Sequence, residues 1–484
     1  MKNRPLLALI AILAVLGTLF LPETIRADAK TPGISTGIAA SELQPVDRDG
    51  LKNKILETGM GPAETQFAAE DLRADLSQIR AALEQMHPAV YGFTDKAAFE
   101  RLYEKQLGQI TEPMTAGAFF RIAAPLVVAV GCGHTRLSSP SDYWTTAPNR
   151  FFPLGLRFLG GRAYVGRGAD PAGSLPPGSE VTSINGRRVS EILTDLKSVM
   201  SSDGSNDSFK TARLNFVFPT LYAFCFGFPE EFVVEAVRPG AAKAETIRLR
   251  AIELTKISTD PSAAKQSTSS GDPNLDLEIV KDTQSTAVLT IRVFSYYQAV
   301  DKFKSFVDDS FAHIRKAGLR NLILDLRDNG GGDPFCSVPL LSYLEPKPIP
   351  YFARVYQGYE SFAEPIPRAA GAFEGKLYVL INGGGFSTTG HFSALLKEHK
   401  IGTLIGSETG GTYECNDNSR DILLKNTRLR LNVARTTFTA AVKSLPRYRG
   451  VIPDVPIEPN LADYLSGRDT VKEAALSLIA IGGR

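Results

Sequence analysis

The sequence is short of what marks several large classes of protein. It has 484 residues with five histidines, four cysteines and one tryptophan, and its 54 Lys and Arg against 52 Asp and Glu leave a formal charge of only +2. The leader alone holds Lys2, Arg4 and Arg26 against Glu23 and Asp28, so the rest is close to neutral. No basic stripe argues for nucleic acid. The cysteines, at 132, 225, 336 and 415, lack the close pairs of a structural zinc site. They read as buried thiols or as disulfides, and spacing cannot choose the pairing. There is no internal repeat, and only one long apolar run.

That run, Leu6 to Leu21, follows Lys2 and Arg4 and precedes Ala27-Asp28-Ala29, the form of a secretory signal peptide over residues 1–29. It is shorter than the ~20 residues of a spanning helix. The expectation is an exported protein, periplasmic or extracellular, with no stable membrane span after cleavage. About 455 residues follow Ala29, enough for two or three domains.

Residues 30–62 mix Pro, Gly, Ser and charge without a period and read as a flexible lead-in. Over 63–145 the pattern is helical: Leu72, Leu76, Ile79 and Leu83 mark a helix from Asp71 to Met86, closed by His87-Pro88. A second runs from Ala116 to about Val130 with a kink at Pro125. Residues 146–255 break into short β-rich runs at 151–158, 162–166, 180–184, 231–236 and 245–251. A polar, Ser-rich stretch within 256–276 reads as a linker. From 277 to 484 strands (287–294, 321–326, 377–381, 403–405) alternate with helical patterns (one carrying Phe303, Phe306, Val307, Ser310 and Ile314, another at 388–398), a layered α/β core.

Chemistry concentrates where strands run into small residues. The apolar strand 377–381 passes through Gly383-Gly-Gly-Phe-Ser387 into a helix. Ser387 is thereby either a helix N-cap or a hydroxyl presented beside unpaired N–H groups that stabilise an oxyanion. The strand ending Leu-Asp-Leu-Arg-Asp-Asn329 enters Gly330-Gly331-Gly332, which reads as an ordinary turn or as backbone N–H donors beside a substrate carbonyl. Gly331 or Gly332 together with Thr388 would form a two-donor oxyanion hole. A serine needs a base. His87, His313 and His399 have structural explanations at helix ends or faces, while His391, one turn into the serine's helix, can cap or pack. His134, in Gly131-Cys-Gly-His-Thr135, has little packing purpose.

Six segments, Gly-Cys-Gly-His134-Thr, Leu-Pro-Pro-Gly-Ser-Glu-Val-Thr-Ser-Ile-Asn-Gly186, Leu-Asp-Leu-Arg-Asp-Asn-Gly-Gly-Gly332, Gly-Phe-Ser387-Thr-Thr, Ile-Gly406-Ser-Glu-Thr-Gly-Gly411 and Gly450-Val-Ile-Pro-Asp454, stand in an order that resembles the tail-specific or C-terminal-processing serine peptidases. The resemblance covers residues 131–454. It implies a multidomain α+β fold: a helical N-terminal domain, a PDZ-like β domain and an α/β crotonase-like (ClpP-like) catalytic core. It also implies an S41-type serine peptidase without a cofactor or metal, acting on polypeptides through an acyl-enzyme and reading a substrate C-terminus through the PDZ-like module. The stretch from Met200 to Cys225 is longer than a minimal PDZ domain needs.

The family's serine–lysine branch would have its lysine at Thr412, so that base is missing. The tricorn-like branch uses a histidine matching His134, usually with a glutamate just before Gly-Val-x-Pro-Asp, where this chain reads Arg447-Tyr-Arg449. Glu408, Glu414 and Asp417 are the candidate replacements for that orienting carboxylate. The expectation is therefore a peptidase with Ser387 as nucleophile and His134 as base. The alternatives are a peptide-binding protein with weak or no activity on the same scaffold, and a small ester or amide hydrolase.

Overall fold

The computed structural model describes residues 63–140, 143–257, 271–280 and 285–482. The expected signal peptide, the lead-in and most of the linker lie outside these residues. No helix among those described is long and apolar enough to cross a membrane.

The first layer is helical: α1 (Ala69–Met86), α2 (Lys96–Gln109) and α3 (Ala116–Val128). Asp95 and Thr115 cap α2 and α3 by accepting from Ala98 N and Ala118 N. Leu72, Leu76, Ile79 and Leu83 form the buried stripe of α1, as their spacing predicts. Pro125 sits inside α3, which stops at Val128. The chain then turns through Gly131, at φ +66°, into a short strand β1 (Arg136–Ser138).

An antiparallel sheet follows in chain order: β2 (Leu156–Leu159), β3 (Arg162–Val165), β4 (Glu180–Ile184), β5 (Glu231–Val237) and β6 (Glu245–Arg250). Between β4 and β5 lie α4 (Val189–Ser198) and α5 (Asp207–Phe226). The 20-residue α5 occupies most of the long stretch from Met200 to Cys225, and Asn206 caps it by accepting from Phe209 N.

The third part is a six-stranded sheet. Its order is β7 (Leu275–Val280), β8 (Thr286–Ile291), β9 (Asn321–Asp325), β10 (Lys376–Ile381), β11 (Thr403–Gly406), then β16 (Val455–Pro456). Only the β7–β8 pair is antiparallel. Leu322 and Leu324 point into one cluster with α6 (Val300–Lys316), α7 (Pro334–Leu344) and α8 (Thr388–Glu398). Ile323, Tyr378 and Leu380 point the other way, against Val471, Ala475 and Ile479 of α9 (Thr470–Gly482). Burial on both faces is why these strands read as continuous apolar runs.

Between β11 and β16 come β12 (Glu414–Asp417), β13 (Arg420–Leu423), β14 (Arg430–Val433) and β15 (Thr436–Thr439). β14 pairs with β1, and Leu424, Leu429, Leu431, Val433 and Ala434 join the same apolar cluster as α1, α3 and the β2–β6 sheet. The C-terminal part thus grips the strand that follows His134.

Candidate active site

Parallel pairing of β9 with β10 puts their C-terminal ends side by side, with Asp325 opposite Leu380. The two glycine loops therefore emerge together, and Asn329, fully buried, ties them. Its side chain accepts from Gly331 N (2.9 Å) and Thr389 Oγ1 (2.8 Å) and donates to Ile291 O (3.0 Å), while its carbonyl accepts from Phe386 N (3.0 Å). In the sequence an asparagine before three glycines looks like a plain turn.

Ser387 stands at the N-cap position of α8 but caps nothing. Its backbone has φ 56° and ψ −124°, and its side chain makes no capping bond. Such a conformation costs a non-glycine residue on the order of 1–3 kcal/mol. The surroundings enforce it: a Cβ on Gly411 would come 2.7 Å from Ser387 N, and one on Gly390 would meet Gly411 at 2.6 Å. The hydroxyl instead faces His134, with Oγ 3.1 Å from Nε2.

His134 is held from three sides. Thr135 N closes a turn onto Cys132 O (3.2 Å), and Thr135 Oγ1 accepts from Ala434 N (3.0 Å). The imidazole stacks on Phe386, the residue before the serine, with ring centroids 4.6 Å apart, and Phe386 stacks in turn on Phe209 of α5 at 4.5 Å. Asp417 Oδ2 lies 3.7 Å from Nε2, on the same side of the ring as the serine. His134 Nδ1 is buried and without a hydrogen-bond partner among the described residues.

The other histidines fall where structural roles suffice. Burial pushes both His87 and His391 down to about 4, and the neighbouring His134 adds to the effect at His391. His391 is therefore neutral near pH 7 and packs edge-on against Phe352.

The three oxyanion candidates separate. Gly331 lies against the serine, since a Cβ there would meet Phe386 O at 2.6 Å, Ser387 Cβ at 2.8 Å and Thr388 N at 3.0 Å. Its own N–H, however, is taken by Asn329 Oδ1, which corrects the expectation of Gly331 as a free donor. Thr388 is the first residue of α8, so its N–H has no intrahelical acceptor. Gly332 bridges Phe294 and accepts from Thr388 Oγ1 at 2.5 Å.

The candidate carboxylates are also placed differently from the expectation. Glu408 accepts from Gly450 N (2.9 Å) and pairs with Arg449 (3.4 Å). Glu414 pairs with Arg447 (2.5 Å). The two arginines standing where the glutamate was expected thus engage both residues, and neither reaches His134 Nδ1. The carboxylate behind the ring is Asp203, from the loop before α5. Its Oδ1 accepts from Gly133 N (2.8 Å) and its Oδ2 is buried without a hydrogen-bond partner among the described residues. One atom each from Cys132, His134 and Asp203 lie within 4.8 Å of one another. As a metal site this trio fits poorly: burial pushes the Cys132 thiol up to about 12, and the sulfur contacts Asn416 O at 3.6 Å. All four cysteines are buried free thiols.

Residues 285–457 match the model of the family described as Peptidase family S41. Over those residues the chain is similar to peptidase family S41. That match and the protease folds below support a serine-type peptidase. Among solved structures, mature CPAF complexed with lactacystin is similar over 85% of this chain and 98% of that one, at 13% identity and a TM-score of 0.61. Mature CPAF alone is similar over 85% and 96%, at 12% identity and a TM-score of 0.58. At such identities the likeness speaks for a shared fold. The photosystem II D1 C-terminal processing protease aligns over 84% and 97% at 17% identity, with a TM-score of 0.43, too low to bear on the fold. No curated protein matches the sequence. The S41 segment holds Ser387 but not His134, which reaches it from outside the matched residues.

Proposed function

We propose that the protein is an exported serine endopeptidase of the tail-specific type, with Ser387 as nucleophile and His134 as general base. The observation that carries this reading is the 3.1 Å approach of Ser387 Oγ to His134 Nε2 at a strained strand-to-helix turn. With the ring proton on Nδ1, the hydroxyl donates to Nε2. As Oγ bonds to the scissile carbonyl carbon, its proton passes to Nε2 and negative charge gathers on the carbonyl oxygen. The N–H of Thr388, with that of Gly332 beside it, receives this charge. Collapse breaks the C–N bond, His134 returns the proton to the leaving amine, and an ester on Ser387 remains. Water, deprotonated by His134, then cleaves the ester and restores the serine.

The antiparallel sheet of β2–β6 with α4 and α5 fits a PDZ-like module, and the six-stranded layered core fits a crotonase-like one. Polypeptide is the substrate class these parts suit, engaged through its C-terminus. Hydrolysis of fluorescently labelled, unfolded casein tests the reading: the parent protein cleaves it, and Ser387→Ala loses at least about 10³-fold in kcat. A Ser387→Ala protein that cleaves at the parent rate overturns it.

A further inference from the structure

We propose that Asp203 is the positioning residue for His134, its carboxylate accepting a hydrogen bond from Nδ1–H directly or through one water molecule. The proposal deepens the peptidase reading and rests on it for its kinetic part. It gives the loop before α5, the stretch in excess of a minimal PDZ-like module, a role in the S41 site.

Two buried polar atoms in this region have no partner among the described residues, His134 Nδ1 and Asp203 Oδ2. One is a donor in the tautomer that leaves Nε2 bare for the serine, and the other is an acceptor. Orphaned buried groups are expensive, and two of opposite character side by side satisfy each other. Asp203 is placed for this by its other oxygen, which accepts from the N–H of Gly133, the residue before the histidine. A ring nitrogen of His134 and a carboxylate oxygen of Asp203 lie within 4.8 Å of each other, a span that one bridging water covers. Glu408 and Glu414 are engaged by Arg449 and Arg447, and Asp417 is on the Nε2 side. That leaves Asp203 for Nδ1.

The loop is clamped as a positioning element would be. Gly204 N donates to Gly131 O (2.9 Å), a Cβ on Gly204 would meet Tyr448 O at 2.1 Å, and Ser202 Oγ donates to Gly204 O (3.0 Å). Asn206 Nδ2 donates to Thr409 O (2.6 Å), and Phe209 completes the ring stack under His134. The loop thus holds the imidazole by its edge and, through Phe386, by its face. Burial raises Asp203 to about 6, partly opposed by His134 and by the N–H groups of Gly133 and Thr412. Near pH 7 it is therefore an anion facing the ring. The other titratable groups around it are the thiols Cys132 and Cys415 and the carboxylate of Asp417.

The test is Asp203→Asn, which keeps an acceptor for Gly133 N but removes the charge. On labelled casein we expect kcat to fall by up to about 10⁴-fold at unchanged KM, the loss that follows when a triad's carboxylate becomes an amide. A purely structural role would instead move the melting temperature and KM. In parallel, ¹⁵N shifts of His134, recorded in a Ser387→Ala background so that turnover plays no part, report its neutral tautomer. We expect Nδ1–H in the presence of Asp203 and a shift toward Nε2–H in Asp203→Asn. If Asp203→Asn fails to fold, the tautomer with Asp203 intact still decides, since Nε2–H there overturns the proposal. An unchanged kcat with an unchanged tautomer overturns it, as does a fall in kcat without a tautomer change. A tautomer shift in a protein whose Ser387 form does not cleave casein upholds the pairing and sinks the peptidase reading instead.

Discussion

At Gly331 a single methyl group would collide with the serine's own turn. The residue sits at φ +93°, and its missing Cβ would fall 2.6 Å from Phe386 O and 2.8 Å from Ser387 Cβ. Gly331→Ala should therefore displace the nucleophile, and a displacement of about 1 Å is enough to cost ~10²-fold in kcat. Gly330→Ala, with nothing within 4 Å of the new atom, is the matched control, and casein turnover of the pair checks the contrast. His391 gives a pH prediction. Held down to about 4 in the fold against about 6.5 unfolded, it binds fewer protons native than unfolded between those values, so it contributes stability that is lost as pH falls from 6.5 through 4. Asp203, raised to about 6, acts oppositely in the same window. The comparison must accordingly be between the parent protein and His391→Asn: the variant should show a flatter loss of unfolding free energy on acidification, by on the order of 3 kcal/mol at pH 4. Urea titrations at pH 6.5 and 4 measure it.

Among elements, α1 and the β13–β14 hairpin depend on one carboxylate. Asp75, fully buried on α1, accepts from Asn426 N and Nδ2 (both 3.0 Å), Thr427 N (2.8 Å) and Thr427 Oγ1 (2.7 Å). Asp75→Ala orphans several donors at once and should cost about 3 kcal/mol or more in urea unfolding. Because β14 pairs with β1, directly after the histidine turn, kcat should fall with stability in this variant. The element scale also explains what could be read in advance. Strands β8 to β11 were legible because both faces are buried, and α1 because only one is. The helix α5 was not, since it carries apolar residues around its circumference and Pro219 within it. Small-residue turns marked the segments of Ser387 and His134, whose side chains the fold brings to 3.1 Å. Asp203 was hidden in a Ser-Ser-Asp-Gly turn that looks solvated, about 70 residues from the ring it faces, while Glu408 and Glu414 attracted attention by lying just beyond the serine's helix. Arg449 and Arg447 explain why that proximity misled.

For the whole molecule, the two side chains proposed for catalysis come from different halves. The apolar cluster of α1 to α3 and the β2–β6 sheet takes in Leu424 to Ala434 from the C-terminal half, and Asn206 of the N-terminal half bonds Thr409 O. The halves should therefore hold together without a continuous chain. A site for a specific protease introduced within 258–270 and cut should leave two fragments that co-elute in gel filtration and retain casein hydrolysis. Separation on cutting would contradict this, and residues 277–484 alone, lacking His134, should be inactive. In the proposed mechanism His134 activates Ser387 across this junction. Intact-mass kinetics with a fluorophosphonate test it most directly. One adduct, mapped to Ser387 and formed at least ~10²-fold more slowly in His134→Ala, is the predicted result, whereas labelling elsewhere, or at equal rates in the two proteins, would contradict it.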